Sequence, residues 1–451
     1  MTLTCFKSYD VRGQLGPELN EEICERIGRA FARVMLPETI VTGRDIRDSS
    51  ASLQAALHRG LVAEGVKVID IGLCGTEEVY FATDYYGAGG GLMVTASHNP
   101  IDYNGIKMVR EGARPISAET GLANIKALAE AANFGPRVEG GSVSEQSPRA
   151  AYVDHLCGYM SSNGLKPLKI VVNAGNGAAG PTFDALEAGL DVPWTFEKVH
   201  HRPDGGFPNG IPNPLLPENR AATAEAVKAA GADLGIAWDG DFDRCFFFDE
   251  TGAFLDGEYV VALLAAAFCA KEPGARIVYD PRVVFATRAA VRDAGGRPIL
   301  SKVGHSYIKA EMRKHDAAYG GEMSAHHYFR DFMYCDSGMI PWLLVAEMVA
   351  RSDQTLGQMV AAMREKYPSS GEINFKVTDT AAAIDAVTRA YELKTVSLDR
   401  LDGVSFEMEG WRMSVRASNT EPVLRLNAET TRDRAFLEAK VAEVSALLAQ
   451  F

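Results

Sequence analysis

The sequence has no Cys-x-x-Cys pair. Its seven cysteines, Cys5, Cys24, Cys74, Cys157, Cys245, Cys269 and Cys335, are scattered and odd in number. Their spacing encodes neither a disulfide framework nor a thiolate zinc site, and they read as reduced thiols. Long apolar runs are also missing. The longest, Val260 to Ala270, is 11 residues, well short of the roughly 20 that span a bilayer. No basic segment leads into an apolar core and small-residue cleavage site at the start, so the expectation is a cytoplasmic protein with no membrane partner. Basic residues are in deficit, 46 Lys and Arg against 59 Asp and Glu, for a net charge of −13. That field repels polyanions and argues against nucleic acid as a partner. A phosphorylated small molecule stays admissible, because a local cluster of Arg and Lys inside a cleft overrides the net charge.

What is present reads as α/β. Of 451 residues, 47% are hydrophobic and 23% charged, an ordinary globular balance that by length alone suggests about three domains. Ile23, Ile27, Ala30, Phe31 and Val34 repeat at helical spacing after a plausible Asn20 cap. Thr39 to Thr42 and Val66 to Ile71 read as buried strands. The stretch Asn133 to Arg149, rich in Gly, Pro, Ser and charge, reads as a linker. A second α/β unit follows, with strands at Lys169 to Val172 and Leu234 to Trp238. A third has strands at Arg276 to Tyr279 and Ile299 to Ser301, then a helix-rich stretch from Ile340 to about Tyr367. Beyond Pro368 the pattern becomes one strand, a helix, two or three β-like runs and a closing helix, a small α+β domain.

Three polar clusters stand just beyond short apolar strands, where α/β sheets bind ligands. The first is Thr95-Ala96-Ser97-His98-Asn99-Pro100, a hydroxyl, an imidazole and an amide in a Pro-terminated loop. It is either an ordinary ST-turn or a nucleophile loop, and the strained G-x-S-x-G turn of a hydrolase is missing. The second, Asp239-Gly240-Asp241-Phe242-Asp243-Arg244, has carboxylates at alternate positions, which an extended loop points to one side. Their mutual repulsion calls for a hard divalent cation such as magnesium, manganese or calcium. An EF-hand is excluded, because its sixth position requires glycine and holds Arg244. The third, Gly320-Gly321-Glu322-Met323-Ser324-Ala325-His326-His327, offers the acceptor and donor that sugar hydroxyls need. Later in the chain, Arg416-Ala417-Ser418-Asn419-Thr420-Glu421-Pro422 sets a guanidinium beside polar donors, a combination suited to a phosphate dianion.

The four motifs, in this order, resemble the serine, metal, sugar and phosphate loops of the α-D-phosphohexomutase superfamily. Met323 fits its phosphomannomutase/phosphoglucomutase group better than its glucosamine-phosphate members. Shorter segments resemble cleft-lining parts of the same family: Ser8-Tyr9-Asp10-Val11-Arg12-Gly13, Gly105-Ile106-Lys107, and Lys302 to His305. Arg282 departs from the pattern, standing where some members carry a lysine.

The resemblance implies three similar mixed α/β domains, at 1–148, 149–252 and 253–368, and a smaller α+β domain at 369–451, around a central active-site cleft. It implies a phosphomannomutase, with glucose phosphates also open to it. A metal-dependent sugar-phosphate phosphatase and a phosphoglucosamine mutase are the alternatives. Ser97 would carry the phosphoryl group and, with Asp239, Asp241 and Asp243, hold Mg2+. Arg12, His98, Lys107, Arg244 and His326 would form the rest of the catalytic set. Tyr9, Lys302, His305, Glu322, Ser324, Arg416, Ser418, Asn419, Thr420 and Arg425 would bind substrate. Hexose 1,6-bisphosphate would serve as activator, the partners would be hexose phosphates, and the chain would be a monomer or homodimer.

Overall fold

A computed structural model describes residues 2–417 and 423–451. The chain forms two compact units, Met1–Phe254 with His326–Asp353, and Leu255–Ala325 with Gln354–Phe451.

In the first unit the opening sheet is built from β1 (Val11–Gln14), β2 (Thr39–Arg44), β3 (Lys67–Leu73), β4 (Gly90–Val94), β5 (Tyr103–Arg110), the short β6 (Arg114–Pro115) and β7 (Ser142–Glu145). Their order is β1-β5-β4-β2-β3-β7, with β6 paired to β5. Strands β4, β2, β3 and the edge strand β7 run parallel, and β5 is antiparallel to both β4 and β1. Strand alternation sorts the side chains by face. Ile40, Leu92 and Val94 join one core with Ile23, Ile27 and Phe31 of helix α1 (Glu21–Met35) and Leu57 and Leu61 of α2 (Ser50–Val62). Val41 and Met93 join another with Val79 and Ala82 of α3 (Thr76–Tyr85). Both sheet faces are therefore covered, as a parallel sheet requires. The Asn20 side chain accepts from the Ile23 amide and caps α1 as its sequence suggests.

The second sheet of this unit comprises β8 (Leu168–Asn173), β9 (Trp194–Val199), β10 (Leu234–Trp238) and β11 (Cys245–Phe248) in the order β11-β10-β8-β9. Only the β10/β11 pair is antiparallel. In the other unit, β12 (Arg276–Tyr279), β13 (Arg297–Leu300) and β14 (Tyr319–Gly321) pair in parallel with β12 in the middle. Back in the first unit, β15 (His327–Phe329) and β16 (Cys335–Asp336) form an antiparallel hairpin. The second unit closes with an antiparallel sheet ordered β17-β21-β20-β19-β18, from Ser369–Phe375 (β17), Ser397–Asp399 (β18), Val404–Met408 (β19), Trp411–Ala417 (β20) and Leu424–Thr430 (β21). Helices Thr380–Tyr391 and Arg434–Leu448 pack on it through Val387, Leu437 and Val444.

Three expectations need correction. The segment Asn133 to Arg149 is not only a linker: its residues Ser142–Glu145 add strand β7 in parallel to β3, although all four are exposed. An edge strand with no buried side chain leaves no hydrophobic alternation to read. The acidic motif is not an extended loop. The Phe242 amide donates to the Asp239 carbonyl at 3.1 Å and Phe242 has φ +44°, so a tight turn, not strand-like alternation, gathers the carboxylates. Among the described residues the C-terminal domain has four strands between its first strand's end and its closing helix, not two or three, because the short exposed β18 carries almost no core.

Candidate active site

Ser97, Asp239 and Glu322 each follow the carboxyl end of a strand, β4, β10 and β14 in turn. Ser97 is 4% exposed and has φ +49°, a left-handed backbone that non-glycine residues adopt only when the surroundings impose it. Its amide donates to Thr95 Oγ1 at 2.9 Å, and its hydroxyl donates to Asp239 Oδ2 at 2.6 Å. His98 Nδ1 lies 3.0 Å from the same hydroxyl. The two loops touch through Gly240, where a Cβ would stand 2.6 Å from the Ser97 carbonyl oxygen. Any side chain at that position would push them apart.

The acidic loop is buried. Asp239 and Asp241 are inaccessible, Asp243 is 3% exposed, and one oxygen of each lies within 4.8 Å of the others. Arg244 grips Asp239 Oδ2 through Nη2 at 2.7 Å and Nε at 3.0 Å, and its Nη2 is 3.4 Å from the Ser97 hydroxyl. It also contacts His98 Nδ1. Lys107 donates to Asp241 Oδ2 at 2.7 Å and to Asp243 Oδ2 at 2.5 Å. Thr76, at the start of α3, donates its hydroxyl to Asp241 Oδ2 at 2.6 Å and its amide to the Asp241 carbonyl at 3.1 Å. Just before it, Gly75 leaves room for the Phe242 ring, which a Cβ there would meet at 2.2 Å.

Burial, and then the neighbouring Asp243 and Asp241, push the Asp239 carboxyl up against the opposing pull of Arg244. Asp241 is also raised by burial and by Asp243, but Lys107 and Thr76 outweigh both and hold it below the usual carboxylate range. Burial and the Arg244 charge hold His98 well below the ordinary imidazole value. A neutral His98 matches its contact with a guanidinium that can only donate.

The donor set fits a hard divalent cation. It is all carboxylate oxygen with an adjoining hydroxyl, and Asp241 Oδ1 is buried with no hydrogen-bond donor. A second acidic grouping shares one member: an oxygen of Asp243, a His326 nitrogen and an Asp336 oxygen also lie within 4.8 Å of one another. His326 Nε2 is 3.8 Å from Asp243 Oδ1. Arg12, on β1, reaches the serine loop by donating to Asn99 Oδ1 at 2.6 Å and is steadied by Asp10 at 2.8 Å. The structure thus brings together Ser97, His98, Arg12, Lys107, Arg244, His326 and the three aspartates. Tyr9 lies in the bend just before β1 and is partly buried.

The second unit gathers the remaining charged residues. Glu322 is buried, and its Oε1 accepts from the Gly304 amide at 2.8 Å, just before the helix that begins with His305. Asp280 holds Arg282 at 2.6 Å and accepts from the Met323 amide at 3.2 Å. Arg416 donates to Glu372 Oε2 at 2.6 Å, and Arg282 and Arg425 approach the same carboxylate at 3.8 and 3.5 Å. Arg282 thus stands beside Arg416 and Arg425 on one carboxylate. Glu372, which no sequence motif singled out, is their common counter-ion. Lys302 is exposed, with its ammonium 5.4 Å from the Tyr307 ring centre, and Ser324 is partly buried. Ser418, Asn419 and Thr420 lie outside the described residues.

A buried serine hydroxyl flanked by cations, beside a carboxylate cluster able to hold a metal, on repeated α/β domains, is the equipment of a phosphotransferase. Four family models match in chain order: the phosphoglucomutase/phosphomannomutase alpha/beta/alpha domains I, II and III over residues 4–135, 150–252 and 256–367, and the C-terminal domain over 372–447. The chain belongs to the phosphoglucomutase/phosphomannomutase family, whose mutases are isomerases. It is 57% identical over 453 residues to a phosphomannomutase of Salmonella typhimurium, with 99% of each chain covered. It is 56% identical over 448 residues to a protein of Xanthomonas campestris pv. campestris described as phosphohexose mutases, covering 99% of this chain and all of the other. The crystal structure of a phosphoglucomutase/phosphomannomutase family protein from Burkholderia thailandensis superposes with a TM-score of 0.86 at 32% identity, covering 99% of this chain and 97% of that one. Among the described residues no helix is long and apolar enough to cross a membrane.

Proposed function

We propose that the chain is a cytoplasmic phosphomannomutase that interconverts mannose 1-phosphate and mannose 6-phosphate and also accepts glucose phosphates, by way of a phosphoserine at Ser97. The observation that carries this reading is the Ser97 hydroxyl, held at 2.6 Å on Asp239 with Arg244 beside it. The relatives named phosphomannomutase, alike over the whole length, support the choice of sugar. The division at 1–148, 149–252, 253–368 and 369–451 belongs to the same reading, and each family match falls within one of these spans.

In this account phosphoserine 97 gives its phosphoryl group to the free hydroxyl of a hexose monophosphate, forming a hexose 1,6-bisphosphate. That intermediate turns end for end, and Ser97 takes back the other phosphate. Arg244 and Arg12 balance the negative charge on the group in transit, and His98, kept neutral, orients the serine oxygen. His326 takes the proton from the attacking sugar hydroxyl; Lys107, held as an ammonium by Asp241 and Asp243, has no lone pair to accept it and instead adds positive charge beside the carboxylates. Glu322 and Ser324 hold sugar hydroxyls, with Tyr9, Lys302 and His305 lending further contacts. The Arg416 loop, including Ser418, Asn419 and Thr420, holds the phosphate that is not reacting, helped by Arg425. Asp239, Asp241 and Asp243, with Ser97, would hold Mg2+, which when bound neutralises charge on the phosphoryl oxygens. Free hexose 1,6-bisphosphate would restore an unphosphorylated Ser97. Positioning and charge, more than covalent chemistry, supply the rate.

The test is coupled kinetics on mannose 1-phosphate and glucose 1-phosphate, with and without added hexose 1,6-bisphosphate. Turnover of mannose 1-phosphate to the 6-phosphate, stimulated by the bisphosphate, is expected. Release of inorganic phosphate with no 6-phosphate product would turn the reading to a phosphatase.

A further inference from the structure

Gly43-Arg44-Asp45-Ile46-Arg47-Asp48-Ser49-Ser50 joins β2 to α2, and it supplies the group on which the serine loop is built. The Arg47 side chain is almost wholly buried and its Nε makes an ion pair with Asp45 Oδ2 at 3.6 Å, too long for a hydrogen bond. Its terminal nitrogens donate to backbone carbonyls of the loop 95–103. Nη2 bonds Ser97 O at 3.0 Å and Asn99 O at 2.6 Å, and Nη1 bonds Pro100 O at 2.8 Å and Tyr103 O at 3.2 Å. The first of these belongs to the serine whose backbone is left-handed.

The arginine is itself held from several sides. Its amide donates to Asp45 Oδ1 at 3.0 Å, and Ser50 Oγ donates to the same oxygen at 2.5 Å. Asn104, just beyond the serine loop, donates to the Ser49 and Ser50 hydroxyls at 2.8 and 2.9 Å. The Phe207 ring lies 5.5 Å from the guanidinium carbon. Gly205 has no room for a side chain, because a Cβ would meet Ile46 O at 2.5 Å and Asp48 Oδ1 at 2.4 Å. The segment that carries Arg47 is therefore pinned on both sides.

We propose that Arg47 is a positioning residue for phosphoryl transfer, fixing Ser97 in its left-handed conformation by capturing four carbonyls of its loop; this rests on the phosphoserine reading above. The planar guanidinium has donors enough to hold two carbonyls on each terminal nitrogen. A lysine ammonium has three donors on one atom and cannot span the four oxygens. Taking up the carbonyls also keeps their negative ends from turning toward the phosphoryl group. Arg47 acts on Ser97 through the backbone, so its loss should slow transfer without weakening substrate binding.

The experiment compares wild type, Arg47→Lys, Arg47→Ala and Ser97→Ala. The readouts are the single-turnover rate of phosphoryl transfer from hexose 1,6-bisphosphate to Ser97, followed by intact mass, the KM for mannose 1-phosphate, and the melting temperature. The transfer rate in Arg47→Lys is expected to fall about a hundredfold, the scale of a misplacement near 1 Å, with KM within about threefold of wild type on the same scale. Methylguanidinium should restore part of the rate to Arg47→Ala and none to Arg47→Lys. A folded Arg47→Lys that transfers at the wild-type rate would overturn the proposal, as would a rise in KM with transfer unchanged. Failure of both variants to fold would assign Arg47 to stability alone. Should wild type itself take no phosphoryl group at Ser97, or Ser97→Ala take it equally, the mutase reading falls and this proposal falls with it.

Discussion

The Ser97 hydroxyl donates to Asp239 Oδ2 at 2.6 Å, joining loops 142 positions apart in sequence. The bond puts the group proposed to carry phosphate against a carboxylate that also faces Asp241 and Asp243. Phosphorylating Ser97 removes the hydrogen Asp239 accepts and adds nearly two negative charges. Lys107 and Arg244 are the cations in contact with the three carboxylates. More positive charge is needed in the phosphorylated state.

From this follows a metal dependence tied to named oxygens. Asp241→Asn removes the carboxylate whose Oδ1 is buried without a donor, and Asp239→Asn removes the partner of Ser97. Each should weaken Mg2+ binding, measured by calorimetry, and lower turnover about a hundredfold or more. Full activity in excess chelator would remove the metal from the account.

Arg416 should matter equally in both directions. A loop that holds the non-reacting phosphate meets the 6-phosphate in one half-reaction and the 1-phosphate in the other. Arg416→Ala deletes a charge-assisted contact, and about 1.5–3 kcal/mol corresponds to roughly ten- to a hundredfold in the specificity constant. Use of the bisphosphate activator should weaken alongside. Glu372→Gln should act oppositely and tighten phosphate binding, since the carboxylate now competes for the same guanidinium at 2.6 Å. Loss in one direction only would contradict a single phosphate site.

Stability should carry a pH signature from Glu258. Burial first, and then Asp256, push this carboxyl up to about 7 from its usual 4.5. The folded protein therefore binds the proton more tightly than the unfolded chain. Stability contributed by this group is full below the unfolded value and is lost as pH rises from about 4.5 to about 7. Glu258→Gln should remove that loss, stabilising the protein by up to about 3 kcal/mol above neutral pH and by little in acid. Denaturant unfolding across that pH range measures it. An equal effect at every pH would show that titration is not the cause.

The sequence carried the site better than its supports. Ser97, the aspartates and Arg244 sit in contiguous motifs, so their resemblance to the family's loops was legible, although residue types alone left Ser97 open to an ordinary ST-turn. Arg47 and Glu372 are missing from that reading, because their partners are backbone carbonyls 50 to 56 positions away and a guanidinium 44 positions away. No local pattern encodes such contacts. A signal was nonetheless present in the charged run Arg44 to Asp48, placed between an apolar strand and a helix. Strand β7 escaped for a different reason: its residues are all exposed, so its register is set by hydrogen bonds to β3 and not by burial.

The most direct measurement is the intact mass of wild type and Ser97→Ala after incubation with hexose 1,6-bisphosphate, read beside their turnover of mannose 1-phosphate. Wild type should gain about 80 Da, the mass of one phosphoryl group, on the peptide containing Ser97. Ser97→Ala should gain nothing and lose nearly all turnover. Full turnover in Ser97→Ala, or a phosphoryl group found on another residue, would contradict the phosphoserine mechanism.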